Sequence, residues 1–145
     1  MSKENNLIEL FDLNYRSSIS VVNYELYKMG MDFNGDLLNP DEIVIKDEQI
    51  RIRFTYPLSA KVEIEFQNKG GFSEKDLFRY IYKGYTKIYD EENQDIGRFD
   101  NISKGLNRPE TQGRYGIWGH ELGDLFIEEV WYNSRVKIVS LIVGS

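Results

Sequence analysis

The chain has 145 residues, 41% hydrophobic and 29% charged, enough for one core in a single domain spanning residues 1–145. A formal net charge of −6 disfavours nucleic acid and anionic membrane surfaces as partners, because an acidic surface repels phosphate. With no cysteine, disulfides, thiolate zinc sites and cysteine nucleophiles are excluded, and the opening Met-Ser-Lys-Glu-Asn-Asn lacks a signal-peptide pattern, so a cytoplasmic protein is expected.

In chain order, residues 1–41 are the least regular part. Residues 7–13 are apolar but short. Between Tyr15 and Met29, Ile19, Val22, Leu26 and Met29 share one helical face with Gly30 as C-cap, which predicts a helix. The β-branched run Ile19–Val22 keeps a strand open as the alternative. Asp32, Asn34 and Asp36 have the first spacings of a calcium loop. The sixth position is Leu37 instead of glycine and the twelfth is Ile43 instead of glutamate, so the stretch reads as a solvated turn.

Glu42–Lys46 is a short strand candidate. Gln49–Tyr56 alternates strictly, with Ile50, Ile52, Phe54 and Tyr56 on one face. Lys61–Phe66 does the same with Val62, Ile64 and Phe66, and Pro57–Ala60 joins the two as a hairpin. Arg51 and Arg53 fall on the outer face against Glu63 and Glu65, which predicts cross-strand charge pairing. Gly70-Gly71 breaks the pattern. Ser73 is a good N-cap, and Leu77, Phe78, Ile81, Tyr82, Tyr85, Ile88 and Tyr89 make one apolar helix face. Asp90-Glu91-Glu92 suits a helix C-terminus badly, so the helix is expected to end near Tyr89 or Asp90.

Residues 93–114 then read as a long irregular loop with four basic residues (Arg98, Lys104, Arg108, Arg114) against three acids (Asp95, Asp100, Glu110). Such a loop suits a carboxylate or phosphate, and Arg98, Arg108 and Arg114, with Tyr115 and Trp118, are the candidate binding residues. Residues 125–132 and 136–143 form a second hairpin about Asn133-Ser134-Arg135, and the near-continuous apolar content of 136–143 predicts a central strand. The expected fold is therefore α+β: an antiparallel sheet of two hairpins plus an edge strand, with one long amphipathic helix packed on it.

Chemistry concentrates at Tyr115–Asp124, which holds the only histidine, Trp118, and Gly116, Gly119 and Gly123. His120, Glu121 and Asp124 are the candidate catalytic residues. His120-Glu121 resembles the start of a zinc-protease helix, but that motif needs a second histidine, so no metal site and no cofactor are expected. Nucleophile elbows and phosphate-binding glycine loops are absent from the sequence. The expectation is a glycine-built corner in which His120 bonds to backbone and both tryptophans anchor in the core.

The run Tyr115-Gly-Ile-Trp-Gly-His-Glu-Leu-Gly-Asp-Leu125 followed by Ile127-Glu128 resembles a motif of small uncharacterised proteins of large double-stranded DNA viruses. Phe54-Thr-Tyr-Pro-Leu58, Gly71-Phe72 and Val143-Gly-Ser145 are similar as well. The resemblance spans roughly residues 42–145 and implies a shared fold and a viral source, hence the host cytoplasm, with no activity attached. Function is expected to be non-enzymatic: an interaction module whose acidic surface suits a basic protein partner. The alternatives are a small enzyme using His120 with nearby carboxylates and the loop arginines on an anionic substrate, and a self-associating structural subunit.

Overall fold

The computed structural model of the chain describes residues 7–9, 19–22, 40–97 and 111–145. Its strands are β1 (Leu7–Glu9), β2 (Ile19–Ser20), β3 (Ile43–Ile45), β4 (Gln49–Phe54), β5 (Val62–Gln67), β6 (Phe72–Ser73), β7 (Phe126–Asn133) and β8 (Ile138–Gly144). One long helix, α1 (Glu74–Ile96), covers a face of the sheet, giving the α+β class.

Alternation decides which face each strand buries. Ile50, Ile52 and Phe54 of β4 are buried, while Gln49 and Arg51 point outward. Register puts Arg51 opposite Glu65 and Arg53 opposite Glu63, as the charge pattern predicts. Only the second pair closes as an ion pair, Arg53 to Glu63 at 2.8 Å; Glu65 instead accepts a hydrogen bond from Gln49 Nε2.

The six-stranded sheet has the order β1-β7-β8-β4-β5, with β2 also on β7. Both expected hairpins form, but β4 and β8 join them in parallel, so the sheet is mixed, not antiparallel throughout. β8 is central, as its apolar run predicts. The expected edge strand, β3, does not join this sheet: it pairs with β6, where a Cβ on Gly71 would meet the Ile45 carbonyl. Residues 19–22 correct the helix expected over Tyr15–Met29. Ile19–Ser20 pairs antiparallel with Ile127 and Phe126, and Val21–Val22 turn, because the β-branched preference for extended backbone wins there. The rest of that stretch lies outside the described residues, as does 32–39.

α1 begins as expected, with Ser73 accepting from the Asp76 amide and Asp76 accepting from the Ser73 amide. Its end differs. The helix runs to Ile96, and Gly97 caps it at φ 73°, so residues 93–96 are helix and not loop. Asp90, Glu91 and Glu92 thus lie inside the helix, away from the dipole's negative end, and Glu91 and Glu92 find partners there. Leu77, Phe78, Ile81, Tyr85 and Ile88 are fully buried against the sheet. Tyr85 meets Phe54 edge-on with centroids 4.9 Å apart, and Gly84 lies directly over the Phe54 ring. No helix among the described residues is long and apolar enough to cross a membrane.

The β7–β8 turn falls later than expected, at residues 134–137. The Lys137 amide returns to the Asn133 carbonyl at 2.8 Å, and Asn133 Oδ1 accepts from the Arg135 amide. Lys137 adopts φ 59°, the left-handed region that costs an L-residue about 1–2 kcal/mol.

Candidate functional site

The 111–125 segment is built from α1 outward. Glu92 sits one turn beyond Ile88 on the buried helix face and is itself fully buried. Its carboxylate accepts from Thr111 Oγ1 at 2.5 Å and from the amides of Gly113 and Tyr115 at 2.9 Å each. Burial alone would raise the Glu92 carboxyl. Hydrogen bonds from Thr111 and from the Tyr115, Gly113 and Ile117 amides outweigh it and hold the group below the usual carboxylate range. Gly113 is required for this approach, because a Cβ there would overlap the carboxylate.

A second contact lies nearer the helix end. Arg114 grips Asp95 through Nε and Nη2, both at 2.9 Å, and reaches Glu91 at 3.2 Å. Tyr115 Oη donates to Glu91 at 2.6 Å, and burial, followed by this hydrogen bond, raises the phenol to about 12. The Tyr115 hydrogen bond, then that from Lys87, holds Glu91 low. Arg114's side-chain and backbone hydrogen bonds draw Asp95 down to about 2. Since this folded value lies below the ordinary 3.8, the latch contributes above about pH 4 and is lost as pH falls through about 2. A carbon-detected titration should place the Asp95 midpoint near 2, and Arg114→Gln should return it toward its ordinary value.

Beyond the latch, the segment crosses to the β4–β5 connection. Ile117 bridges Leu58, the Trp118 amide donates to the Pro57 carbonyl at 3.1 Å, and Ser59 and Ala60 donate to Tyr115. Gly116, at φ 62°, lies too close to Ser59 for any side chain. Two buried helix tyrosines fix the backbone from below: Tyr85 Oη donates to the Tyr56 carbonyl at 2.7 Å and Tyr89 Oη to the His120 carbonyl at 3.0 Å.

What this frame presents is aromatic. Trp118 is 40% exposed and rests edge-on against Tyr56, centroids 5.3 Å apart. Beside it the His120 ring tilts over Tyr56 at 5.9 Å. Ser145 Oγ links the two polar tips, 2.8 Å from His120 Nε2 and 2.7 Å from Tyr56 Oη.

The tryptophans are therefore not core anchors. Trp118 faces solvent, and Trp131, half-buried, donates from Nε1 to Glu129. The His120 ring bonds to a side chain, not to backbone, and only its carbonyl serves the frame. A hydroxyl at imidazole Nε2 has the spacing of a nucleophile and its base, but among the described residues no carboxylate bonds the other ring nitrogen. Asp124 instead accepts from the Glu121 amide at 2.9 Å, closing the single 3₁₀ turn Leu122–Asp124. Glu121 is buried, and the His120 ring meets Ser145 and Tyr56. Among the described residues no three His, Asp or Glu side chains gather as metal ligands.

Of the candidate binding residues, Arg114 and Tyr115 are committed to helix acids, Trp118 is exposed, and Arg98 and Arg108 lie outside the described residues. Sequence reasoning missed Glu92, Tyr56 and Ser145. The 81-85-88-92 spacing on the apolar helix face carried the signal for Glu92. The other two lie in stretches that share the family resemblance, which attached no role to them.

No protein family, curated protein or solved structure matches the chain.

Proposed function

We propose that the protein is a non-enzymatic binding module that engages another protein, in the cytoplasm, through the surface centred on Trp118. One observation carries this reading: a large indole is held in the open by a rigid frame. Its amide is bonded to Pro57, its ring rests on Tyr56, and the backbone on both sides is tied to α1. An exposed tryptophan that loses little freedom on binding is the typical energetic centre of a protein interface. The net charge of −6 favours a basic partner and speeds its approach.

The test is capture on the immobilised protein, compared with Trp118→Ala and with the control Phe126→Ser, which removes an exposed ring elsewhere. A basic protein should be retained by the parent and the control and weakened at high salt. Its affinity for Trp118→Ala should fall about thirtyfold, the loss of a hot-spot residue. Identical capture by parent and Trp118→Ala would refute the reading. A Trp118-dependent change in mass by light scattering would replace a foreign partner with a second copy of the chain.

A further inference from the structure

At the opposite end of β4 from Tyr56, a groove of about 290 Å³ opens between the starts of the parallel strands β4 and β8, lined by Gln49, Ile50, Arg51, Glu65, Val136 and Lys137. We infer that this groove is a binding site for a small monocarboxylate with a short apolar chain.

Three features converge there. First, Arg51 lacks the partner that its register offers. It stands across from Glu65, yet Glu65 is taken by Gln49, and among the described residues the Arg51 guanidinium has no ion pair. A guanidinium left open in this way presents the paired donors that fit a carboxylate.

Second, Lys137 occupies the last position of the β7–β8 turn at φ 59°, the only positive φ of a non-glycine among the described residues. Glycine or asparagine is the usual occupant of such a position. A lysine there is unfavourable for the fold itself, and its ammonium is held only loosely, 3.7 Å from Asp47. Strain kept at a groove's lip points to a side chain retained for what it touches.

Third, the lining is amphipathic. The Arg51 amide donates to the Lys137 carbonyl at 2.9 Å, so the two cationic side chains start from bonded neighbours, with the exposed Val136 beside them and Ile50 beneath. Among the lining side chains, two cations, Arg51 and Lys137, face one carboxylate, Glu65, which suits one negative charge and disfavours a dianion. The space corresponds to about ten waters, so the ligand is of amino-acid size.

The 145-residue chain, titrated with isovalerate and followed by amide NMR, tests this. The Ile50, Arg51 and Lys137 amides should shift saturably with isovalerate and stay unmoved with isovaleramide, its uncharged counterpart. Lys137→Gly should weaken binding about tenfold or more, the loss of one charge-assisted hydrogen bond, while its thermal midpoint is unchanged or higher. Arg51→Gln should weaken binding similarly with the fold retained. Equal shifts with isovaleramide, full affinity in Lys137→Gly, absence of saturation, or preferential binding of inorganic phosphate would each overturn the assignment.

Discussion

Replacing Glu92 with alanine is expected to lower the unfolding free energy by about 3–5 kcal/mol. The carboxylate is fully buried and accepts from Thr111, Gly113 and Tyr115, so its removal strands three donors at about 1–3 kcal/mol each. The damage should be directional. β4, β5 and β8 do not touch this carboxylate, whereas residues 111–118 lose their attachment to α1. Gly113→Ala should reproduce part of the effect, because its methyl group would displace the same carboxylate. Urea denaturation measures both. A loss below about 1 kcal/mol for Glu92→Ala would mean that water replaces the carboxylate without penalty, and that the helix does not organise the loop.

Gly84→Ala should also destabilise, by about 1–3 kcal/mol, although alanine exceeds glycine in helix propensity by about 1 kcal/mol. The reason is steric: a Cβ at residue 84 would overlap the Phe54 ring, which is fully buried and locked edge-on by Tyr85. Phe54→Leu alone should cost about 1–3 kcal/mol by under-filling the core. Combined, the two changes should cost clearly less than their sum, since the smaller leucine leaves room for the new methyl and lets the helix propensity gain appear. Strict additivity in that cycle would show that α1 does not pack on β4 through this contact.

Much of the scaffold could be read from residue order. The β4–β5 hairpin and its charge register follow from strict alternation and a short connection, and the α1 start follows from Ser73 and Asp76. Both are local signals. The parallel joining of β4 to β8 was not legible, because nothing in either hairpin states which edge meets the other. The end of α1, at Ile96, lies beyond the point its own residues predict for a related reason. Asp90-Glu91-Glu92 opposes a helix end when only the dipole is considered, yet the partners that accommodate Glu91 and Glu92 come from Thr111, Gly113, Arg114 and Tyr115, a score of residues onward.

The site shows the same division. Glycines at 116 and 119 do take positive φ, as a tight corner demands. That Trp118 faces outward could not be seen, since an indole among glycines fits a core and a surface equally. His120 drew attention as the only imidazole, but its ring meets Ser145 and Tyr56, which sit far from it in sequence, and nothing in the stretches that hold them states that they meet it.

One carboxylate organises the site: Glu92 of α1 ties residues 111–118 into a rigid support for Trp118. Amide hydrogen exchange at Gly113 and Tyr115, in the parent chain and in Glu92→Gln, tests it most directly, with Ile52 and Val139 as sheet references. Glutamine keeps the volume but offers one accepting oxygen and brings donors toward donors. Protection at Gly113 and Tyr115 should be comparable with the sheet in the parent and lost in Glu92→Gln, while Ile52 and Val139 stay protected. Free exchange at both amides in the parent, or unchanged protection in Glu92→Gln, would contradict it.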